Sequence, residues 1–308
     1  MGTMFGYHLA GVADVRVLDV RSDAIAAIAR AGGLELEGQP VRSVLATTQP
    51  AALFGCSLVF LFVKAQHSLR ALRPFAGQLN PATPVISLQN GLGAEEAMKT
   101  ALGTAVPVVL GVTTEAATAT GFGKAARVGR GLTVLGGAGA TPASVSSVAE
   151  LLQSAGFDAR AVYDIRPHVW GKLVANAAIN PVTALLGAPN GVILSDPDAE
   201  ALARELAAET AAVAAALRIR LPYPDAWEYV RAVAGATAQN FSSMLQDLQA
   251  GRQTEIEAIN GAVLAAARRT GVKAPYNESV TRLVRARERW QAGSPAAFST
   301  EEEALVMD

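Results

Sequence analysis

Only one of the 308 residues is a cysteine, Cys56, so the chain can build neither a disulfide framework nor a thiolate metal cage. Histidine is scarce as well. His8, His67 and His168 are scattered with no i, i+4 pair, and no metal site is expected. Charge is thin: 17% of residues are charged and the net charge is −1, so no global field draws the chain to nucleic acid or an anionic membrane. Apolar runs are short, and Leu58 to Val63 falls far below a bilayer span. No basic-then-apolar leader opens the sequence, and the expected location is the cytoplasm. What is present is apolar bulk, 51% of residues, enough for sizeable cores in two domains or one large one.

The pattern changes character near residue 163. Before it, Val15 to Val20, Leu58 to Val63 and Pro84 to Leu88 read as buried strands, with helices over Ser22–Ala31 and His67–Leu79 between them. Such alternation predicts a parallel sheet with crossover helices. Gly103 to Gly137, rich in Gly, Thr and Val, suits strands that include antiparallel ones. A helix over Ser144–Ala155 and a strand over Phe157–Val162 follow. After Asp164 the periodicity is helical: Pro167–Asn180, Asp198–Leu217, Pro224–Leu248, Thr254–Arg269 and Glu278–Gln291. Thr254 and Glu257 have capping-box spacing, Gly271 marks a helix stop, and the end from Gly293 on, with Glu301, Glu302 and Glu303, reads as frayed. The boundaries expected are 1–163 and 164–308.

Lys172, Asn176 and Asn180 stand out. Their four-residue spacing puts each about 40° round a helix from the last, so the three polar heads share one face of an otherwise apolar segment. Buried polar heads need partners, and a small polar ligand is one way to supply them. A helix lifting its lysine past the core, with the asparagines capping, is the plain alternative.

A dinucleotide fold opens strand, glycine turn, helix. Here Met1 to Gly11 reads as the helix with no strand before it, and Gly2 stands where the last turn glycine would be. The expectation is that the natural chain begins upstream and that the second strand lacks a neighbour. The end of that second strand, Asp19-Val20-Arg21, is where such folds choose a cofactor. Arg21 favours the 2′-phosphate of NADP, while Asp19 keeps NAD open. Lys64 and Asn90 follow the next two strand-like runs, on the edge where ligands bind. Read blandly, Asn90-Gly91 is a turn.

In order and spacing, Gly2, Arg21, Val63-Lys64-Ala65, Gln89-Asn90-Gly91, Lys172-Leu173, Asn176, Asn180-Pro181 and Pro189-Asn190-Gly191 resemble the ketopantoate reductase (2-dehydropantoate 2-reductase) family. So do Asn240 to Asp247, with its Ser-Ser-Met-Leu-Gln-Asp core, Gly251 to Glu257, and Ile259-Asn260-Gly261. The resemblance implies an α/β Rossmann-type dinucleotide-binding domain followed by an all-α substrate domain, with the substrate between them. The first strand and two glycines of the family pattern are missing. It implies NADPH-dependent reduction of 2-dehydropantoate to pantoate, on the route to pantothenate and coenzyme A. Lys172 and Glu255 match catalytic positions. Asn176, Asn180, Asn190, Asn240 and Ser243 match substrate-binding positions, with Asn240 and Ser243 expected one turn apart on one helix. Gly2, Arg21, Lys64 and Asn90 match the cofactor side. The implied partner is a small 2-oxo acid, and a homodimer is left open. A related NAD(P)-dependent 2-oxo acid reductase and a nucleotide-binding homologue without catalysis are the alternatives.

Overall fold

The computed structural model describes residues 1–293, and the end carrying Glu301, Glu302 and Glu303 lies outside the described residues. The chain forms two compact units, Met1–Leu173 with Ala214–Pro224, and Val174–Val213 with the residues from Asp225 on.

The first unit begins with α1 (Gly2–Leu9), β1 (Arg16–Leu18), α2 (Ser22–Ala31), β2 (Glu35–Leu36), β3 (Leu45–Thr47) and β4 (Val59–Leu61). It continues with α3 (Ser68–Leu72), β5 (Val85–Ser87), α4 (Ala94–Leu102), β6 (Val108–Thr113), β7 (Ala116–Gly121) and β8 (Lys124–Gly129). Then come β9 (Leu132–Gly137), α5 (Pro142–Ser154) and β10 (Asp158–Val162). The main sheet has the order β10-β9-β6-β5-β4. Strands β4, β5 and β6 are mutually parallel, as their alternation with helices predicts, so their carboxyl ends share one edge. The antiparallel pairs expected in the Gly/Thr/Val-rich stretch are β6 with β9 and β7 with β8.

The parallel part of the sheet is in two pieces. β1 pairs in parallel with β3 and, among the described residues, neither joins β4. Among the described residues β1 pairs with no strand on its other edge. Helix α1 is buried through Met4, Phe5, Tyr7 and Leu9, and the Phe5 ring stacks on Phe157 at 4.3 Å.

The helix expected over 67–79 is broken. It becomes α3 between tight turns at Ala65–His67 and Arg73–Phe75. Pro74 has no N–H to continue the ladder, and Gly77 adopts a left-handed φ of 67°.

The later elements are α6 (Arg166–Leu186), α7 (Val192–Ser195), α8 (Pro197–Ala216), α9 (Ala226–Ala236) and α10 (Ser243–Gln249). A π-helical turn (Glu257–Gly261), α11 (Ala262–Thr270) and α12 (Pro275–Gly293) complete them. Three departures from expectation have local causes. α6 does not stop at Asn180 but runs through Pro181 to Leu186. The long helix expected over 224–248 is cut in two. Thr237 closes α9 with its hydroxyl on the Val233 carbonyl at 2.7 Å, and Ser242 opens α10 by accepting from Leu245 N–H at 3.2 Å. The capping box at Thr254 does not form. The Thr254 hydroxyl donates to Glu288 at 2.6 Å, Glu257 pairs instead with Arg285, and the segment winds as a π-turn before α11. Gly271, with φ of 74°, ends α11 as expected.

Candidate functional site

In the first unit the candidate residues collect at the carboxyl ends of the parallel strands. Lys64 follows β4, Asn90 follows β5, and β6 ends at Thr113. The Lys172 ammonium donates to the Thr113 carbonyl at 2.7 Å, which fixes the lysine at the end of β6. Two glycines make these approaches possible. A Cβ on Gly2 would lie 3.2 Å from Phe62 Cβ, so glycine lets the first turn of α1 press against the end of the β4 segment. A Cβ on Gly171 would lie 2.9 Å from Pro222, where Tyr223 donates its hydroxyl to the Gly171 carbonyl at 2.9 Å. The backbone just before Lys172 is thereby clamped.

Arg21 sits after β1 as the residue preceding α2. Its guanidinium lies 4.2 Å from the centre of the Phe122 ring and 3.4 Å from Asp23. Asp23 is exposed, and its hydrogen bond from Arg21 holds its carboxyl below the usual carboxylate range. Arg21 is therefore oriented by an aromatic face and a solvated acid, with its backbone N–H on Asp19 at 2.9 Å. At the start of α6, Asp164 accepts from Arg166 Nε and Nη2 at 2.8 and 2.7 Å, and this pairing depresses the Asp164 carboxyl.

Along α6 from Gly171 to Ala184, only Lys172 and Asn176 are more than marginally open; Asn180 is 8% exposed and the rest is buried. Two of the three residues read from the four-residue spacing, Lys172 and Asn176, thus form the uncovered part of this stretch of helix, and Asn180 is buried.

In the second unit, backbone and side-chain bonds tie three segments together. Asn190 N–H donates to the Asn240 carbonyl at 2.9 Å, and Asn190 Nδ2 donates to Thr237 Oγ1 at 3.0 Å. Gly191 N–H reaches the Ala238 carbonyl at 2.9 Å. Thr183 Oγ1, one turn beyond Asn180, lies 2.8 Å from Ser242 Oγ. Asn180, Asn190, Asn240 and Ser243 are therefore brought to one region of this unit. Asn240 and Ser243 do not share a helix: Asn240 lies in the α9–α10 connection, and Ser243 is the first residue of α10. Their side chains are exposed, whereas Asn190 Oδ1 is buried with no hydrogen-bond partner among the described residues. Glu255 is buried just before the π-turn, its carbonyl accepting from Ile259 N–H at 3.0 Å.

The roles of four further residues were not assigned from the sequence. Thr113 offers a backbone carbonyl, which carries no residue signal. Gln89 is a clamp: its Nε2 donates to the Val63 carbonyl at 2.6 Å and to Ser68 Oγ at 2.8 Å, and its Oε1 accepts from Ser87 at 2.9 Å. It joins the ends of β4 and β5 to α3, and its adjacency to Asn90 was the available hint. Arg127 and Glu115 form a buried bidentate pair at 2.9 and 2.6 Å. Glu115 N–H also donates to Thr113 Oγ1 at 3.1 Å, so the pair braces the end of β6.

Among the described residues no helix is long and apolar enough to cross a membrane, and no cluster of three or more metal-ligating side chains occurs.

Two family models match: ketopantoate reductase PanE/ApbA over residues 1–139, and the ketopantoate reductase PanE/ApbA C terminal over residues 164–288. The 2-dehydropantoate 2-reductase of Archaeoglobus fulgidus is 38% identical over 244 residues, covering 79% of each chain. A crystal structure of a PanE/ApbA family ketopantoate reductase from Ralstonia eutropha superposes with a TM-score of 0.86 at 28% identity, covering 94% of this chain and 95% of the other. A D-mandelate dehydrogenase in complex with NADH superposes with a TM-score of 0.85 at 25% identity, covering 94% of this chain and 96% of the other. The chain belongs to the ketopantoate reductase family and is, with it, a nicotinamide-dependent oxidoreductase.

Proposed function

We propose that the chain reduces 2-dehydropantoate to pantoate with NADPH, supplying pantothenate and coenzyme A synthesis. The observation that carries this reading is Lys172. It is an ammonium held 2.7 Å from the Thr113 carbonyl, at the carboxyl edge of β4, β5 and β6, in a chain of this family.

The residues fit a dinucleotide. At the start of α1, first-turn N–H groups lack helical acceptors and favour a diphosphate, and Gly2 lets that turn lie close against Phe62. Arg21 and Lys64 supply cations for a 2′-phosphate, and Asn90 an amide for the nicotinamide side. When bound, the reduced nicotinamide supplies the hydride. Lys172 stabilises the charge that grows on the ketone oxygen and gives up a proton to it, to be reprotonated from water. Glu255 is taken as the acid of the catalytic set because it matches a catalytic position of the family. Asn176, Asn180, Asn190, Asn240 and Ser243 hold the substrate carboxylate and hydroxyl by oriented hydrogen bonds.

Arg21→Ala should raise KM for NADPH by about ten- to a hundredfold, the worth of one charge-assisted hydrogen bond, and leave KM for NADH within about twofold. Parallel titration of both cofactors checks this, and equal changes would remove Arg21 from phosphate recognition and turn attention to Asp19. Asn240→Ala and Ser243→Ala should each raise KM for the oxo acid about tenfold with NADPH affinity preserved. A fall in cofactor affinity instead would mean that substrate and cofactor roles are assigned to the wrong residues.

The likeness to D-mandelate dehydrogenase favours one second reading, reduction of an aryl or other 2-oxo acid. Initial rates of NADPH and NADH oxidation across a panel of branched, straight-chain and aryl 2-oxo acids separate the two.

A further inference from the structure

Pro181 lies inside α6, and it cannot give the backbone hydrogen bond that residue 181 of a helix owes to the carbonyl of residue 177. The Ala177 carbonyl is not left bare. Asn260 Nδ2 donates to it at 2.9 Å, from the π-helical turn. Two further carbonyls of the same stretch, those of Ile179 and Asn180, accept from Thr183 Oγ1 at 2.9 and 3.1 Å.

The orientation of the Asn260 amide is forced by its surroundings. Glu209 accepts from Asn277 Nδ2 at 2.7 Å and from the backbone N–H groups of Tyr276 and Asn277 at 2.9 Å each. That commits Asn277 Nδ2 as donor and leaves Asn277 Oδ1 to accept. Asn260 Nδ2 donates to it at 2.9 Å. Both neighbours of Asn260 are thus acceptors, and a flipped amide would set oxygen against oxygen. Asn260 Oδ1 is buried with no partner among the described residues, so the two N–H groups are the part of this amide that the fold uses. Asn260 and Asn277 are both fully buried. The wide turn is what aims Asn260: Gly261 N–H bonds the Ile256 carbonyl at 2.9 Å, a five-residue step that inserts one residue into the helical register.

We infer that Asn260 is a positioning residue: its side-chain amide replaces the hydrogen bond that Pro181 cannot make, and so holds the Asn176–Asn180 face of α6 in the geometry that binds the oxo acid. The inference rests on the reading of Asn176 and Asn180 as substrate ligands. Ala177 lies between them, and its carbonyl is the one that Asn260 grips. The π-turn that carries Asn260 begins just after Glu255, whose carbonyl is itself bonded to Ile259 N–H. One rigid turn thereby fixes Glu255 and, through Asn260, the polar face of α6.

The test is a two-site cycle on the full chain. Asn260→Leu keeps the size and removes the donor. Pro181→Ala restores a backbone N–H that can reach the Ala177 carbonyl. Asn260→Leu should raise KM for 2-dehydropantoate about tenfold, as expected for a displaced substrate hydrogen bond, and leave KM for NADPH unchanged. Pro181→Ala alone should stay within about threefold of the parent, and the double variant should recover most of the lost affinity. A purely structural role would show as lower stability with an unmoved KM ratio. An unchanged KM in Asn260→Leu, or a double variant no better than Asn260→Leu, overturns the inference. If Asn260→Leu does not fold, Asn260→Ser takes its place in the same cycle.

Amide hydrogen exchange over Val182–Leu186 gives a readout that does not depend on turnover. Exchange should quicken in the position-260 variant and slow again with Pro181→Ala. Unaltered exchange counts against the tie. An inactive parent with this exchange pattern would sink the substrate reading and keep the tie.

Discussion

Lys172→Ala is expected to lower kcat about 10²–10⁴-fold, the range for loss of a positioned acid–base group. The side chain leaves α6 between buried Gly171 and Leu173, and its ammonium ends on the Thr113 carbonyl at 2.7 Å. In the proposed mechanism alanine removes the charge that meets the developing alkoxide and the proton that completes it, while the buried helix around it stays packed. Lys172→Arg keeps the positive charge but is also expected to be slow. A guanidinium is a poor proton donor near neutral pH, and its planar fork does not fit a site set for one ammonium. Pre-steady-state kinetics with saturating substrates read the effect in the chemical step. Near-normal kcat in Lys172→Ala would take the lysine out of the mechanism.

The second large effect falls on stability. Arg127→Ala should destabilise the protein by about 3–5 kcal/mol, the cost of leaving one member of a buried ion pair alone. The Glu115 side chain is 1% exposed and that of Arg127 is 11% exposed. Glu115 keeps Gly131 N–H at 3.2 Å after the substitution but loses both guanidinium bonds. Replacing both residues by apolar groups of similar volume should cost far less, since no buried charge remains. Urea unfolding of the parent and the two variants measures this. A loss below about 1 kcal/mol in Arg127→Ala would show that the carboxylate finds another partner. Because Glu115 N–H also bonds Thr113 Oγ1, the single variant should slow turnover as well, by loosening the carbonyl that holds Lys172.

Periodicity made much of this legible. The short strands β4 and β5 are nearly all apolar, so they stand out from the helices between them. The four-residue spacing found the uncovered part of α6 at Lys172 and Asn176, because polar heads four residues apart share one side of a helix, while Asn180 on the same side is buried. What stayed hidden depends on partners distant in sequence. Pro181 reads as a helix end, and only Asn260, 79 positions later, lets the helix pass it. Thr254 and Glu257 have the spacing of a capping box, but Glu288 and Arg285 on α12 take them. The break between α9 and α10 comes from Thr237 and Ser242 satisfying backbone groups locally, against an apolar periodicity that would have carried on. The Thr113 carbonyl belongs to every residue type and could not be read at all.

The central claim is that hydride passes to a 2-oxo acid on this chain, with Lys172 completing the alcohol. It is tested most directly by incubating the protein with 2-dehydropantoate and NADPH deuterated at the transferable ring positions, and weighing the product. The account predicts pantoate one mass unit heavier than the unlabelled compound, formed in step with NADPH oxidation and suppressed in Lys172→Ala. Folded protein that yields no pantoate, or an aryl 2-oxo acid reduced far faster under the same conditions, would contradict it.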